Sequence, residues 1–497
     1  MGGMRLFAAA IAAVSALAAW GAADAASKAV ATRQGLVQGA DQDGVASWLG
    51  IPFAAPPVGD LRWRPPQAPA SWTGVRPADH FGAPCMQSLP PGAPGSDLQQ
   101  SEDCLFLNIW APAGKTKTRG LPVMFYIHGG GFQFGMTAWG ETDGKSLARH
   151  DVIVVTTAYR LGKFGFFAHP ALVKEAQGGP AANYGLMDMV AALKWVKANI
   201  AAFGGDPDNI TIFGESAGGG AVDAMMISPS ARGLFQKAIV ESGGPVNLRS
   251  LDAAETDARA LASAWGVTSD DPAALRAVPA ATVLAKGPGS SPIVDGQVLP
   301  LNVLEAFKAG QVARVPIIFG TNSYEAGAFQ AAAKDLDKRY AAEWPRIMKV
   351  YDGYGTHDPV KVQGQLATDL VMTWNNRQTA LGAAGAGLPT YVYSFDYLRP
   401  SQQGKTPGAS HFDEVYAVFG SVPTAKPTDT VEPAMIEAME SRWTNFARTG
   451  VPSPDWPRFT PHTQIVGVFS NAGFKAEPGY ERARMELDAS LPQTPVR

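Results

Sequence analysis

Unbroken apolar runs separated by Gly- and Pro-rich loops recur along this chain. Val123-Met124-Phe125-Tyr126-Ile127 has no polar interruption, the pattern of a strand covered on both faces. Val152 to Val155, Ile210 to Phe213, Ala238 to Val240, Val315 to Phe319 and Tyr391 to Phe395 predict further strands of the same kind. Between them, Leu186, Val190, Leu193, Val196 and Ile200 recur at helical spacing while Lys194 and Lys197 fall elsewhere on the wheel, which predicts an amphipathic helix. More helices are predicted over 252–265, 272–278 and 330–348, inserted between core strands as a cap over one end of the sheet. The alternation predicts an α/β fold with a large, mostly parallel central sheet flanked by helices. Length alone suggests about three domains. No repeat or linker supports a division, since the Ala/Gly stretch from Gly382 to Gly387 runs straight into a core strand. One domain over 26–497 is expected.

The N-terminus changes the picture. Arg5, the apolar stretch Leu6 to Ala19 and the small residues around Ala23-Asp24-Ala25 read as a signal peptide over residues 1–25. The stretch is too short and Ala-rich to span a bilayer comfortably. No later run is long and apolar enough, and the C-terminus carries no lipid-anchor signal. Secretion or periplasmic export without a stable membrane anchor is the expectation. Export in turn makes the two cysteines, Cys85 and Cys104, read as one disulfide, worth about 3 kcal/mol in the chain-entropy picture. Without nearby histidines they are not a metal site. With 41 basic and 44 acidic residues, a net charge of −3 and no basic run, the charge is too balanced to imply a nucleic-acid or polyphosphate partner through bulk electrostatics, and none is expected. Nothing in the pattern bears on oligomeric state.

The chemistry sits where predicted strands end. Phe213-Gly214-Glu215-Ser216-Ala217-Gly218-Gly219 follows the strand ending at Phe213, and a Gly-x-Ser-x-Gly set between strand and helix is a nucleophile elbow. The pentapeptide alone is weak in a chain with 54 glycines; its strand–turn–helix context strengthens it. His128-Gly129-Gly130-Gly131-Phe132 follows the strand ending at Ile127. Its glycines let the N–H groups of Gly130 and Gly131, with that of Ala217, converge on an oxyanion. A phosphate-binding loop is disfavoured, because no Lys-Ser/Thr ending or dinucleotide fingerprint is present. Chain order then asks for an acid and, after it, a histidine. Glu325, just beyond the strand ending at Phe319, fits the acid, or is a solvated loop glutamate. On order alone His411, His357 and His462 all qualify as the base, with His411 best placed after the strand Tyr391 to Phe395.

These residues resemble the type-B carboxylesterase family, which includes cholinesterases and bacterial para-nitrobenzyl esterases. Phe203 to Gly218 matches the family's serine signature and Glu102-Asp103-Cys104-Leu105-Phe106-Leu107-Asn108-Ile109 its second signature. Gly50 to Ala54, Tyr159 to Gly162, Asn183 to Leu186 and Trp443 to Ala447 are similar too, so the resemblance covers nearly the whole mature chain. It implies an α/β-hydrolase fold and a serine carboxylesterase acting on small-molecule esters with no metal and no cofactor. It implies Ser216 as nucleophile, Glu325 as acid and His411 as base. It also implies the Cys85–Cys104 disulfide and the ion pairs Arg62–Glu102 and Arg160–Asp188, and it makes Asp206 and Asp208 a tight turn rather than a cation site. Two departures limit it. Tyr324-Glu325-Ala326 stands where the family usually has Asp-Glu-Gly, and the Cys85–Cys104 loop lacks the tryptophan that holds choline in cholinesterases. Amides, lactones or thioesters would use the same machinery, as would a lipase at an oil–water interface. A non-catalytic binding or adhesion protein on this fold would typically lose the serine or histidine, and both are present. Phe132, Phe134, Trp139 and Phe329 are candidates to shape the pocket.

Overall fold

The computed structural model describes residues 25–492 except 27–28, 90–93, 115–119, 245–247, 328, 353–357 and 425–427. The leader before Ala25 and the rival His357 therefore lie outside the described residues. A twelve-stranded sheet organises the molecule. Its strands are β1 (Ala25–Ala26), β2 (Ala40–Gln42), β3 (Val45–Pro52), β4 (Phe106–Pro112), β5 (Leu121–Ile127), β6 (Ile153–Thr157), β7 (Gly205–Glu215), β8 (Lys237–Glu241), β9 (Ile317–Asn322), β10 (Thr390–Asp396), β11 (Ile465–Ser470) and β12 (Gly473–Pro478). Their order is β1-β2-β3-β4-β6-β5-β7-β8-β9-β10-β11-β12. From β6 across to β11 every pairing is parallel. The flanking strands on both sides are antiparallel.

Period-2 alternation along the central strands sorts their side chains onto two faces. Val123, Phe125, Ile127, Ile210, Ile212, Ala238 and Val240 belong to one core. Met124, Tyr126, Phe213, Ile239 and Ile318 belong to the other. Helix α1 (Tyr184–Asn199) lays Leu186, Val190, Leu193 and Val196 on the first face, and α2 (Ala217–Ile227) adds Ala221 and Met225. Burial on both faces explains why the strands read as unbroken apolar runs. On the second face lie Met439, Trp443 and Phe446 of a helix over Pro433–Thr449.

The cap has a small core of its own, built from Ala326, Leu336, Tyr340, Ile347, Tyr351, Val362 and Leu366. Helices at Leu251–Ala264 and Pro272–Arg276 match the predicted insertions. The predicted helix over 330–348 is broken into a 3₁₀ turn at Gln330–Ala333, a short helix at Leu336–Arg339 and a helix at Trp344–Asp352. Pro345 accounts for the last break, because proline suits a helix's first turn but cannot continue one arriving from upstream. The predicted strand from Val315 also starts late. Pro316 has no N–H for the ladder, and β9 begins at Ile317 and carries Thr321 and Asn322 to the strand's end. Among the described residues no helix is long and apolar enough to cross a membrane.

Candidate active site

Because the central strands are parallel, β5, β7, β8, β9 and β10 all release their chains at one end of the sheet. There β7 turns directly into α2 through Ser216, whose φ of 57° and ψ of −121° lie in a strained region. The turn is secured by the Ser216 N–H donating to the Glu241 carbonyl at 2.8 Å and the Gly220 N–H donating to the Ser216 carbonyl at 2.9 Å. Gly218 permits the crossing, since a β-carbon there would sit on the Ile127 carbonyl oxygen. Ser216 is half-buried, and its Oγ has no hydrogen-bond partner among the described residues.

The loop after β5 faces this turn. Gly130 and Gly131 have φ of 104° and 62°, and their N–H groups, like that of Ala217, donate to no protein acceptor among the described residues. Ala217 opens α2, where N–H groups lack intrahelical partners. The loop is braced by Gln133 and Phe134 N–H groups on the Gly130 carbonyl at 2.9 and 3.1 Å, and by the Gly162 N–H on the Phe132 carbonyl at 2.7 Å. The Tyr159 hydroxyl donates to the His128 carbonyl at 3.0 Å. His128 itself stacks on Tyr159 at 4.4 Å, and burial pushes its pKa down to about 4, so it is neutral at physiological pH.

His411 and Glu325 meet across two loops. His411 Nδ1 lies 2.6 Å from Glu325 Oε2. The Glu325 carboxylate is fully buried, and its Oε1 accepts from the Asn322 N–H at 2.8 Å and the Ser242 hydroxyl at 2.6 Å. The two loops are stitched by the Tyr324 N–H on the Ala409 carbonyl at 2.8 Å and the Asn322 amide on the Ser410 carbonyl at 2.8 Å. The Phe329 ring packs edge-on against His411 at 5.0 Å. His462, the other rival, occupies an exposed turn and touches none of these groups.

The other imidazole nitrogen, Nε2, is 3.1 Å from Glu215 Oε1, and no hydrogen bond links it to Ser216. Sequence reasoning missed Glu215, although its place one residue before the elbow serine was a signal. It also missed Glu414, which receives hydrogen bonds from the Asn322 amide and, at 3.4 Å, the Ser242 hydroxyl, and Glu241, which accepts from Trp443 Nε1 at 2.6 Å. Burial alone would lower the pKa of His411, but the Glu215 and Glu325 carboxylates outweigh it and raise the group to about 10. Burial raises Glu215 to about 7 against the pull of His411. Burial likewise raises Glu241 to about 8 and Glu414 well above the carboxylate range. Burial thus pushes these three carboxyls toward their neutral forms.

The paired scaffold residues lie in contact. Cys85 and Cys104 are bonded at 2.03 Å. Arg62 Nε reaches Glu102 at 2.6 Å, and Arg160 grips Asp188 through Nε and Nη2 at 2.8 and 2.7 Å. Asp206 and Asp208 lie within β7, where the register against β5 shifts between Gly205 and Ile210, and the Asp208 N–H donates to Asp206 Oδ1 at 2.9 Å.

A doubly covered parallel sheet whose strand ends carry an elbow serine and a loop-borne His–Glu pair defines an α/β-hydrolase fold. The sequence model of the carboxylesterase family matches residues 26–486, and the chain belongs to that family as a carboxylic ester hydrolase. It is 36% identical to the fumonisin B1 esterase of Sphingopyxis macrogoltabida over 475 residues, covering 89% of this chain and 86% of that one. It is 35% identical to the para-nitrobenzyl esterase of Bacillus subtilis (strain 168) over 477 residues, covering 88% and 93%. Among solved structures, a PNB esterase superposes with a TM-score of 0.80 at 32% identity, covering 94% of this chain and 100% of the other. The Geobacillus stearothermophilus carboxylesterase EST55 does so with 0.77 at 35% identity, covering 92% and 99%.

Proposed function

We propose that this chain cleaves carboxylic esters through an acyl-enzyme on Ser216, with His411 as general base and acid and Glu325 as the carboxylate that orients it. The observation that carries this reading is the 2.6 Å contact between His411 Nδ1 and buried Glu325, with Nε2 turned toward the residue bonded to Ser216. In the reaction His411 Nε2 takes the Ser216 hydroxyl proton as Oγ attacks the ester carbonyl. Gly130, Gly131 and Ala217 N–H groups hold the oxyanion, and the same proton leaves on the departing alcohol. Water then repeats the cycle on the acyl-enzyme. For Nε2 to serve as base it must be unprotonated and turn from Glu215 Oε1, 3.1 Å away, to the Ser216 hydroxyl.

The relatives named for fumonisin B1 and para-nitrobenzyl esters support small organic esters as the substrate class. Residues 26–497 act as one domain, since the three proposed groups span 216 to 411. The disulfide fits an oxidising compartment, in keeping with export led by residues 1–25. Purified mature protein should hydrolyse short p-nitrophenyl esters, release a burst equal to the enzyme present and lose about 10⁴-fold or more on Ser216→Ala. Turnover that survives in Ser216→Ala, or a folded native enzyme with none, would sink the reading.

A further inference from the structure

The segment closed by the disulfide reaches the loop that carries Gly130 and Gly131. Two residues after Cys85, Gln87 is only 2% exposed, and both ends of its amide are engaged. Its Oε1 accepts the Gly135 N–H at 2.9 Å, while its Nε2 donates to the Gly135 carbonyl at 2.9 Å and to the Cys85 carbonyl at 3.0 Å. A primary amide offers two N–H donors and a carbonyl acceptor, so Gln87 satisfies both backbone groups of one residue, as a neighbouring strand would. Its own backbone N–H donates to Gln100 Oε1 at 2.8 Å. The clamp is therefore moored on both sides of the segment that the Cys85–Cys104 bond closes.

Gly135, at φ 124°, has no room for a side chain: a β-carbon would run into the His128 ring and meet the Gly129 carbonyl oxygen at 2.6 Å. Gly129 in turn lies against the elbow, where a β-carbon would meet the Glu215 carbonyl at 2.8 Å and Ser216 Cβ at 3.1 Å. The Gly129 backbone is thus wedged between the elbow on one side and Gly135 on the other, and a β-carbon on Gly130 would meet the carbonyl oxygen of Phe134, the residue before Gly135, at 2.0 Å. Gln87 is the side chain that holds Gly135.

We propose that Gln87 is a positioning residue for the oxyanion donors, acting through Gly135 on the backbone of Gly129 to Gly131. This rests on the reading that Gly130 and Gly131 receive the oxyanion. Removing the amide leaves two buried backbone groups of Gly135 unpaired, and the loop moves to regain partners. A shift of about 1 Å at such donors costs on the order of 100-fold, and the cost falls on the tetrahedral state more than on substrate binding.

The test compares native enzyme, Gln87→Met and Gln87→Glu on p-nitrophenyl acetate, with a trifluoromethyl ketone as the tetrahedral mimic. Gln87→Met is expected to lower kcat by about 30- to 100-fold with KM within about threefold. Affinity for the ketone should fall by a similar factor. Gln87→Glu keeps the acceptor for the Gly135 N–H but not the donor, and should lose about 5- to 10-fold in kcat. A folded Gln87→Met with native kcat and native ketone affinity, or one whose only defect is in KM, overturns the proposal. Should Gln87→Met fail to fold, Gln87→Glu decides by the same two readouts. A native enzyme that lacks activity, or Ser216→Ala that retains it, overturns the serine reading and this proposal with it. Gln87 variants with native kcat in an enzyme killed by Ser216→Ala overturn this proposal alone.

Discussion

Arg160 and Asp188 are buried as a matched pair, whereas half-buried His411 faces the carboxyl groups of Glu215, Glu325 and Glu414. In the first region the guanidinium grips one carboxylate through two nitrogens, and the Arg160 backbone N–H adds a third bond at 3.0 Å. Burial still raises the pKa of Asp188 in spite of Arg160. That direction says the pair recovers only part of the cost of leaving water, so its value lies in locking the chain after β6 to α1. In the second region negative charge exceeds positive. The excess lifts the basicity of the imidazole and, in the proposed reaction, would stabilise the imidazolium formed as Ser216 attacks. A matched pair holds geometry; an unmatched cluster tunes a proton.

The largest effect expected from breaking this contrast is at Glu325. Glu325→Gln keeps the shape but presents an amide to Nδ1, which removes the charge and disturbs the tautomer that leaves Nε2 free as a base. By analogy with other triads, kcat should fall by about 10⁴-fold, read by steady-state hydrolysis of p-nitrophenyl acetate with the folded state checked by circular dichroism. A loss under tenfold would mean that Glu325 is not the orienting acid.

Asp188 comes next, and its effect is on stability. Asp188→Asn leaves a buried guanidinium without its counter-charge, at an expected cost of about 3–5 kcal/mol in chemical unfolding. The double variant Arg160→Met/Asp188→Leu, which removes both charges, should recover most of that. If the double variant is as unstable as the single one, the pair is more than a matched charge.

The two regions were also unequally legible in the sequence. The elbow and the glycine loop are contiguous, so Ser216, Gly130, Gly131 and Ala217 could be read from a dozen residues and the strands that precede them. The central strands were equally clear, because burial on both faces erases polar positions. The edge strands were not: β12 has no fully buried residue among its six, and β1 and β2 are two and three residues long. Chain order left three histidines open, and only the family resemblance singled out His411. Glu215, Glu241 and Glu414 escaped because their role depends on which atoms the strand register brings together. Glu241, for instance, meets Trp443, 202 residues away in sequence. Gln87 escaped for the same reason, 48 residues from Gly135.

Glu215 sharpens the contrast by pH rather than by rate. In the proposed reaction His411 must be unprotonated to act as base, so activity is expected above its pKa and should be lost as pH falls through it. Glu215 and Glu325 raise that pKa above the ordinary imidazole value. Glu215→Gln removes one of the two charges, and the acid limb of kcat/KM should move down by about one pH unit. An unmoved limb, or one that moves up, would show that Glu215 does not set the basicity of His411.

Glu414 should do least, and the reason is the same electrostatics. Burial first, and then the neighbouring Glu215 and Glu325 carboxylates, raise its pKa well above the ordinary carboxylate value, which favours the neutral acid. Glu414→Gln replaces one neutral hydrogen-bonding group by another of the same shape against Asn322 and Ser242. The acid limb should stay within about 0.3 pH units of native and kcat within about threefold. A downward shift as large as that of Glu215→Gln would mean that Glu414 is ionised in the working enzyme, and that the negative excess around His411 is greater than one carboxylate beyond its Glu325 partner.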